Sequence, residues 1–214
     1  MAAQTLHELF VEELRDMYDG EKRIIKALPK IAKHAQSDEL RSALTEHLRQ
    51  TEKQATRLEQ VFKSIGETPR GKKCDGIVGI LEEGNTMMEE LEEGPILDAA
   101  LIAGCQKVEH YEIASYGTLA YFAELMGHER AKELLGTTLD EEKAADEKLN
   151  TIATSEVNRE ALMSGGEDED EMEEDEERPR ARRSASMGMA NERSSSRGRT
   201  GSSRKTSSSR GRRR

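Results

Sequence analysis

Four long stretches of this chain repeat apolar residues at three- and four-residue steps, and each carries an ionisable side chain inside its apolar face. The third stretch is the most demanding. Ile102, Cys105, Val108, Ile113, Leu119, Phe122 and Leu125 define its stripe, and Glu109, Glu112 and Tyr116 fall within it. An ionised carboxylate removed from water costs several kcal/mol unless a cation or a donor network neutralises it. Two carboxylates one turn apart on a core face therefore demand compensation, and a metal ion is the compact way to supply it.

The other three stretches repeat the exception. Thr5 to Glu8 has the form of a capping box, and Leu6, Phe10, Met17, Ile24 and Leu28 carry a helix from Thr5 into the thirties, with a kink expected at Pro29. Extending that stripe places Glu13 inside it and Glu21 on its edge, with Asp16 and Tyr18 flanking. Ser37 caps a second helix, with Asp38 and Glu39 in its first turn. Its stripe is Leu40, Leu44, Leu48, Ala55, Leu58, Val61 and Ile65, with His47, Thr51 and Gln54 on the buried side and Glu52 at the margin. Gly66 and Pro69 end it. The segment 70–93 is too long for a hairpin link and has a weak helical period of its own, so it reads as a crossover holding one short helix. Gly94-Pro95 opens the third helix, which runs to Met126 and stops at Gly127. The fourth starts near His128; Leu134, Leu135, Thr138, Glu142, Ala145, Leu149 and Ile152 share a face, with Asp146 one turn beyond Glu142.

No alternating strand pattern persists anywhere in the sequence. Long helices, two tight links and one long central link predict an all-α chain, a ferritin-like four-helix bundle with a crossover between its second and third helices. The bundle is expected over 1–160 and a disordered tail over 161–214. No apolar run is long enough for a membrane span and no signal peptide is read, so a soluble, cytoplasmic protein is expected. Cys74 and Cys105 have no metal-binding spacing and are expected as free thiols. Neither a nucleophile triad, a phosphate loop nor a dinucleotide fingerprint is present.

Taken singly, each carboxylate has a plainer reading as a boundary residue that reaches solvent or an arginine, and His47 as a satisfied core histidine. Four helices making the same exception near mid-length is the argument for a metal. Dinuclear carboxylate sites in such bundles combine a Glu from each of two helices with a Glu-x-x-His motif from each of the other two. Glu-x-x-His does not occur in this chain.

The segments 6–22 (LHELFVEELRDMYDGEK), 47–52 (HLRQTE), 57–62 (RLEQVF), 108–119 (VEHYEIASYGTL) and 138–146 (TLDEEKAAD) resemble the YciE/YciF family of ferritin-like proteins, over residues 4–155. The resemblance implies a ferritin-like bundle, a homodimer and a dinuclear iron or manganese site, in a bacterial stress-associated family with no settled reaction. Position by position, the metal candidates are Glu13, Glu21, His47, Glu52, Glu109, Glu112, Glu142 and Asp146. The missing Glu-x-x-His motifs put the usual di-iron O₂ chemistry in question and leave open a single-ion or manganese site. His110 and Tyr111, rotated about 100° per residue around the helix from the carboxylates, are expected to face a neighbour or solvent. Tyr116 reads either as a donor to a ligand carboxylate or as a plain core aromatic. Two function classes follow: a metal-dependent protein handling iron, peroxide or O₂, as an oxidoreductase does, or a helical stress or scaffold protein whose tail does the binding.

Charge is strongly polarised along the chain. Residues 1–163 carry 20 Lys+Arg against 32 Asp+Glu, 167–177 carry ten acids, and 178–214 carry thirteen basic residues against one acid. A tail without aromatics or a hydrophobic core is expected to be disordered. Its basic end either contacts a polyanion such as DNA through phosphates, without sequence preference, or pairs with its own acidic block. The first reading predicts weak DNA binding, lost at moderate salt. Deleting 178–214 should abolish it and deleting 167–177 should strengthen it, as read by fluorescence anisotropy at low salt. Equal affinities for the three proteins would exclude it.

Overall fold

The computed structural model describes residues 3–165. Its elements are α1 (Leu6–His34), α2 (Asp38–Ser64), α3 (Asp75–Glu90), α4 (Pro95–Leu125), α5 (Glu129–Ile152), a π-helical turn (Ala153–Val157) and α6 (Asn158–Ser164). No strand occurs among the described residues. None of their helices is long and apolar enough to cross a membrane. The acidic and basic blocks of the tail lie outside the described residues. Residues 161–164, expected in the tail, continue α6 instead.

Local chemistry sets the helix ends. Thr5 accepts from the Glu8 amide while the Glu8 carboxylate accepts from the Thr5 amide, closing the expected capping box. Ser37 Oγ accepts from Leu40 N at the start of α2. Gly66 and Gly127 adopt φ of 78° and 73°. Beside each, the next amide donates back into its helix, Glu67 N to Phe62 O (2.9 Å) and His128 N to Ala123 O (2.8 Å). These are left-handed glycine stops, a conformation that a side chain disfavours. Pro29 does not end α1, which stays helical to His34.

The bundle consists of α1, α2, α4 and α5. Tight links make α1 and α2 antiparallel, and likewise α4 and α5. The crossover returns along α1, fastened by Lys72 N to Arg15 O (3.0 Å) and Cys74 N to Asp19 Oδ2 (2.9 Å). Consequently α2 and α4 run parallel, and each helix packs on two neighbours around the core. The crossover helix α3 docks through Ile77 and Gly76. A Cβ at Gly76 would stand 2.5 Å from the Tyr111 ring, so that close approach needs glycine. Tyr111 faces a neighbour as expected, donating to Asp16 Oδ2 (2.9 Å), with Cys74 Sγ 3.3 Å away. Both cysteines are free and buried.

The core is in two apolar parts. One is built on Ile24, Leu28, Leu44, Leu101, Ile102 and Leu149, and the other on Phe10, Leu14, Phe62, Tyr116, Leu119 and Leu135. On every bundle helix the residues between these parts are polar: Glu21 on α1, His47, Thr51 and Gln54 on α2, Glu109 and Glu112 on α4, Thr138 and Glu142 on α5.

One further buried carboxylate secures the bundle end. Asp98, in the first turn of α4, accepts from Gln36 N (2.8 Å) and Ser37 N (2.7 Å), holding the α1–α2 link. Replacing it strands two amides and removes two charge-assisted bonds. Asp98→Ala is therefore expected to destabilise the protein by on the order of 2–3 kcal/mol, measured by denaturant unfolding.

Candidate metal centre

Glu109 and Glu112 are three residues apart on α4, which puts both carboxylates on the inward face. His47 and Gln54 are seven apart on α2 and share its inward face, with Thr51 between them donating to His47 O (2.9 Å). Glu142 enters from α5 and Glu21 from α1; both are fully buried. One donor atom from each of His47, Glu109, Glu112 and Glu142 can be chosen so that all four lie within 4.8 Å of one another. Oxygen and nitrogen ligands about 2.0–2.6 Å from an ion stand up to about 4–5 Å apart across it, so the group is close to the dimensions of one coordination sphere.

Other side chains orient this cluster. Tyr116 donates a short hydrogen bond to Glu21 Oε1, and Gln54 Nε2 donates one to Glu142 Oε1. Gln54 Nε2 also reaches Glu141 Oε2 at 3.1 Å. Arg57 grips both oxygens of Glu141 (2.7 and 2.9 Å) and donates to Thr138 Oγ1 (2.7 Å). Burial alone would raise the Glu141 carboxyl, but the Arg57 fork holds it below the usual range. Arg57 is thereby committed to Glu141. Among the described residues, no Lys or Arg forms a salt bridge with Glu21, Glu109, Glu112 or Glu142.

The electrostatic consequence is large. Burial, reinforced by neighbouring carboxylates, pushes Glu109 and Glu112 well above the ordinary 4.5. Burial also raises Glu21 well above that value, despite the opposing Tyr116 bond, and brings Glu142 up to about 7. His47 is lowered to about 4, chiefly by burial, so it is neutral at pH 7 and has a lone pair to give. Its Nε2 is 3.3 Å from Glu109 Oε1. Burial raises the thiols of Cys74 and Cys105 to about 11 and about 12, leaving both protonated at neutral pH.

The donor set passes a direct test for a cation. Among the described residues, the buried side-chain atoms without a hydrogen-bond partner are, besides Arg15 Nε, Glu21 Oε2, both nitrogens of His47, Gln54 Oε1, Glu109 Oε2, both oxygens of Glu112 and Glu142 Oε2. Those of the polar layer are nearly all acceptors, all are buried, and His47, Glu109, Glu112 and Glu142 each bring one donor atom into the same small space. Native interiors leave few polar atoms unpaired, and a cation satisfies this set together.

Of the eight sequence candidates, His47, Glu109, Glu112 and Glu142 meet in one cluster, and Glu21 lies beside it, held by Tyr116. Glu13 and Glu52 are corrections: both are exposed and cannot reach the interior. Leu14 takes the inward place next to Glu13, and Thr51 the one next to Glu52. Asp146 is half-buried at the α4–α5 seam, accepting from Gln106 Nε2 (3.2 Å) with His110 Nε2 at 3.3 Å, and lies outside the four-residue group. Gln54, seen in the sequence only as a buried-face residue, proves to be in contact with the cluster through Glu142. Its signal was its phase, seven residues after His47.

Chelated protein should show the cost of these charges. Raised glutamate pKa values mean that the folded state holds more protons than the unfolded one above pH 4.5, so stability falls as pH rises. His47 opposes this only below about 6.5, where its lowered pKa makes stability rise with pH. From pH 6.5 to 8 the glutamates act alone. The melting temperature of metal-free protein should drop across that window, as the unfolding free energy falls by up to about 1.4 kcal/mol per pH unit for each group still titrating. A flat or rising profile would contradict the burial of these carboxylates.

Comparison with known proteins agrees with this architecture. The family model described as "Domain of unknown function (DUF892)" matches residues 5–162. Protein YciF of Escherichia coli (strain K12) is 43% identical over 162 residues, covering 75% of this chain and 98% of that protein. The crystal structure of the E. coli stress protein YciF superposes with a TM-score of 0.71 at 43% identity, covering 73% of this chain and 99% of the other. YcfI from Rhodopseudomonas palustris gives a TM-score of 0.68 at 47% identity, covering 69% and 94%. With its helical order, its split core and its buried cluster all lying inside the matched residues, the chain belongs to the DUF892 family, to which it is similar through YciF.

Proposed function

We propose that this protein binds a redox-active divalent metal, iron or manganese, in the polar layer of its bundle and serves a stress response by handling iron, peroxide or O₂. The observation that carries the reading is the convergence of His47, Glu109, Glu112 and Glu142 with so many buried acceptors unpaired. Oxygen-rich donors with one imidazole and no thiolate suit manganese and iron. His47, Glu109, Glu112 and Glu142 would hold a first ion. Glu21, with one oxygen free and on the opposite helix, supplies the fourth carboxylate that two divalent ions need for charge balance.

A metal bound there supplies one-electron redox chemistry to a small oxidant. The chain does the rest. Tyr116 fixes Glu21 in one orientation, and Gln54 does the same for Glu142. Arg57 pairs with Glu141 and offsets part of the charge it adds beside the cluster. The apolar parts on either side exclude bulk water, which strengthens every electrostatic contact between them. Cytoplasmic residence and a homodimer accompany this reading as proposals drawn from the family.

Metal analysis of untagged protein, reconstituted anaerobically with Fe²⁺ or Mn²⁺, tests it. The native chain should retain at least one ion through gel filtration, and the Glu109→Ala/Glu142→Ala variant should lose most of it. Equal metal content in the two would refute the assignment.

A further inference from the structure

We propose that a divalent cation enters the buried cluster through an opening between α2 and α5, gated by the Glu46–Lys148 ion pair. The inference rests on the metal reading above and adds its point of entry. The opening has a volume of about 180 Å³ and reaches His47 and Glu109. Both are more than nine-tenths buried, and both nitrogens of His47 and Oε2 of Glu109 have no hydrogen-bond partner. Two acceptor-bearing members of the cluster are therefore its inner end.

Small side chains keep the gap open: Ala43 on α2, and Ala144 and Ala145 on α5. Across its mouth Lys148 Nζ meets Glu46 Oε2 at 2.6 Å, joining the two helices. These side chains are 48% and 67% exposed, so water and salt weaken the pair and it parts readily. When Lys148 swings out, Glu46 is left as a free carboxylate at the surface end.

Charge selects the traveller. The lining holds three carboxylates, Glu46, Glu109 and Glu141, against the single cation Lys148. An anion moving inward approaches buried carboxylates, whereas a hydrated divalent cation can exchange its waters for Glu46 at the mouth, the Gln50 amide along the way, and Glu109 with His47 at the floor. The larger cleft between α1, α3 and α4, about 470 Å³, is the poorer route: the space that shares Ala27, Ile31, Leu81, Cys105 and Val108 with it and reaches His47 and Glu109 holds only about 10 Å³ and is lined mainly by apolar side chains. The cleft is also edged by Lys22, Arg23, Lys26 and Lys30, and none of the four clustered acids or His47 lines it.

The test is the rate of Mn²⁺ uptake by chelated, full-length protein, followed by stopped flow against a fluorescent chelator, with final metal content measured separately. Ala144 is exposed, so Ala144→Phe should fold normally and cover the mouth; Ala145→Leu narrows it from the half-buried side. Both should slow uptake several-fold while leaving the final metal content at the native level. Lys148→Ala, which frees Glu46, should accelerate it, and Glu46→Gln should slow it. Native rates in Ala144→Phe and Lys148→Ala, with full final loading, would overturn the route and leave the metal site standing. No uptake by the native protein would overturn the metal reading and the route with it.

Discussion

Four carboxylates without a lysine or arginine partner among the described residues, buried at mid-height between two apolar packing regions, are the constraint around which this structure is arranged. Each helix of the bundle interrupts its apolar stripe at the same level, so the interruptions meet as one layer. The cost of burying such charges is several kcal/mol apiece when nothing neutralises them, comparable with the net stability of a domain. Either the layer stays substantially protonated or a cation enters it. The raised carboxyl pKa values express the first state and the unpaired acceptors invite the second.

The surroundings keep that choice confined to the layer. Arg57, the cation nearest in chemistry to a neutralising partner, is spent on Glu141 and Thr138 and does not close the cluster. Tyr116 and Gln54 restrict two carboxylates without satisfying them fully, leaving Glu21 Oε2 and Glu142 Oε2 open. Elsewhere the chain is conventionally sealed: Asp98 satisfies the amides of the α1–α2 link, glycines with positive φ stop α2 and α4, and both thiols are buried and protonated. The unsatisfied atoms concentrate at the layer, the pattern expected where function and not stability has set the residue types.

The crossover is the economical solution to connecting parallel α2 and α4. Its helix α3 buries only Ile77 fully and packs its remaining apolar residues, including Ile80, Leu81 and Met88, as a partly covered flank. Because it lies outside the four-helix core, it leaves α2 and α5 free to meet, and the opening lined by His47 and Glu109 lies between them.

Much of this was determined by the sequence alone. Helix ends at Thr5, Ser37, Gly66, Pro95 and Gly127 depend on local capping chemistry, and the crossover follows from link length, so both were legible without coordinates. So were the inward His47, Glu109, Glu112 and Glu142, whose neighbours at three- and four-residue steps are strongly apolar. Tertiary structure alone decided among adjacent positions. At Glu13 and Leu14, and again at Glu52 and Thr51, two neighbours are separated by about 100° around the helix, within the width of an apolar stripe. Packing buried Leu14 and Thr51 and turned the acids to solvent. Which carboxylates share one coordination-sized space, that Gln54 touches Glu142, and that Arg57 belongs to Glu141 are contacts between residues far apart in the chain. Periodicity gives the face of a helix but not its depth or rotation against its neighbours, and those were settled only when four helices packed together.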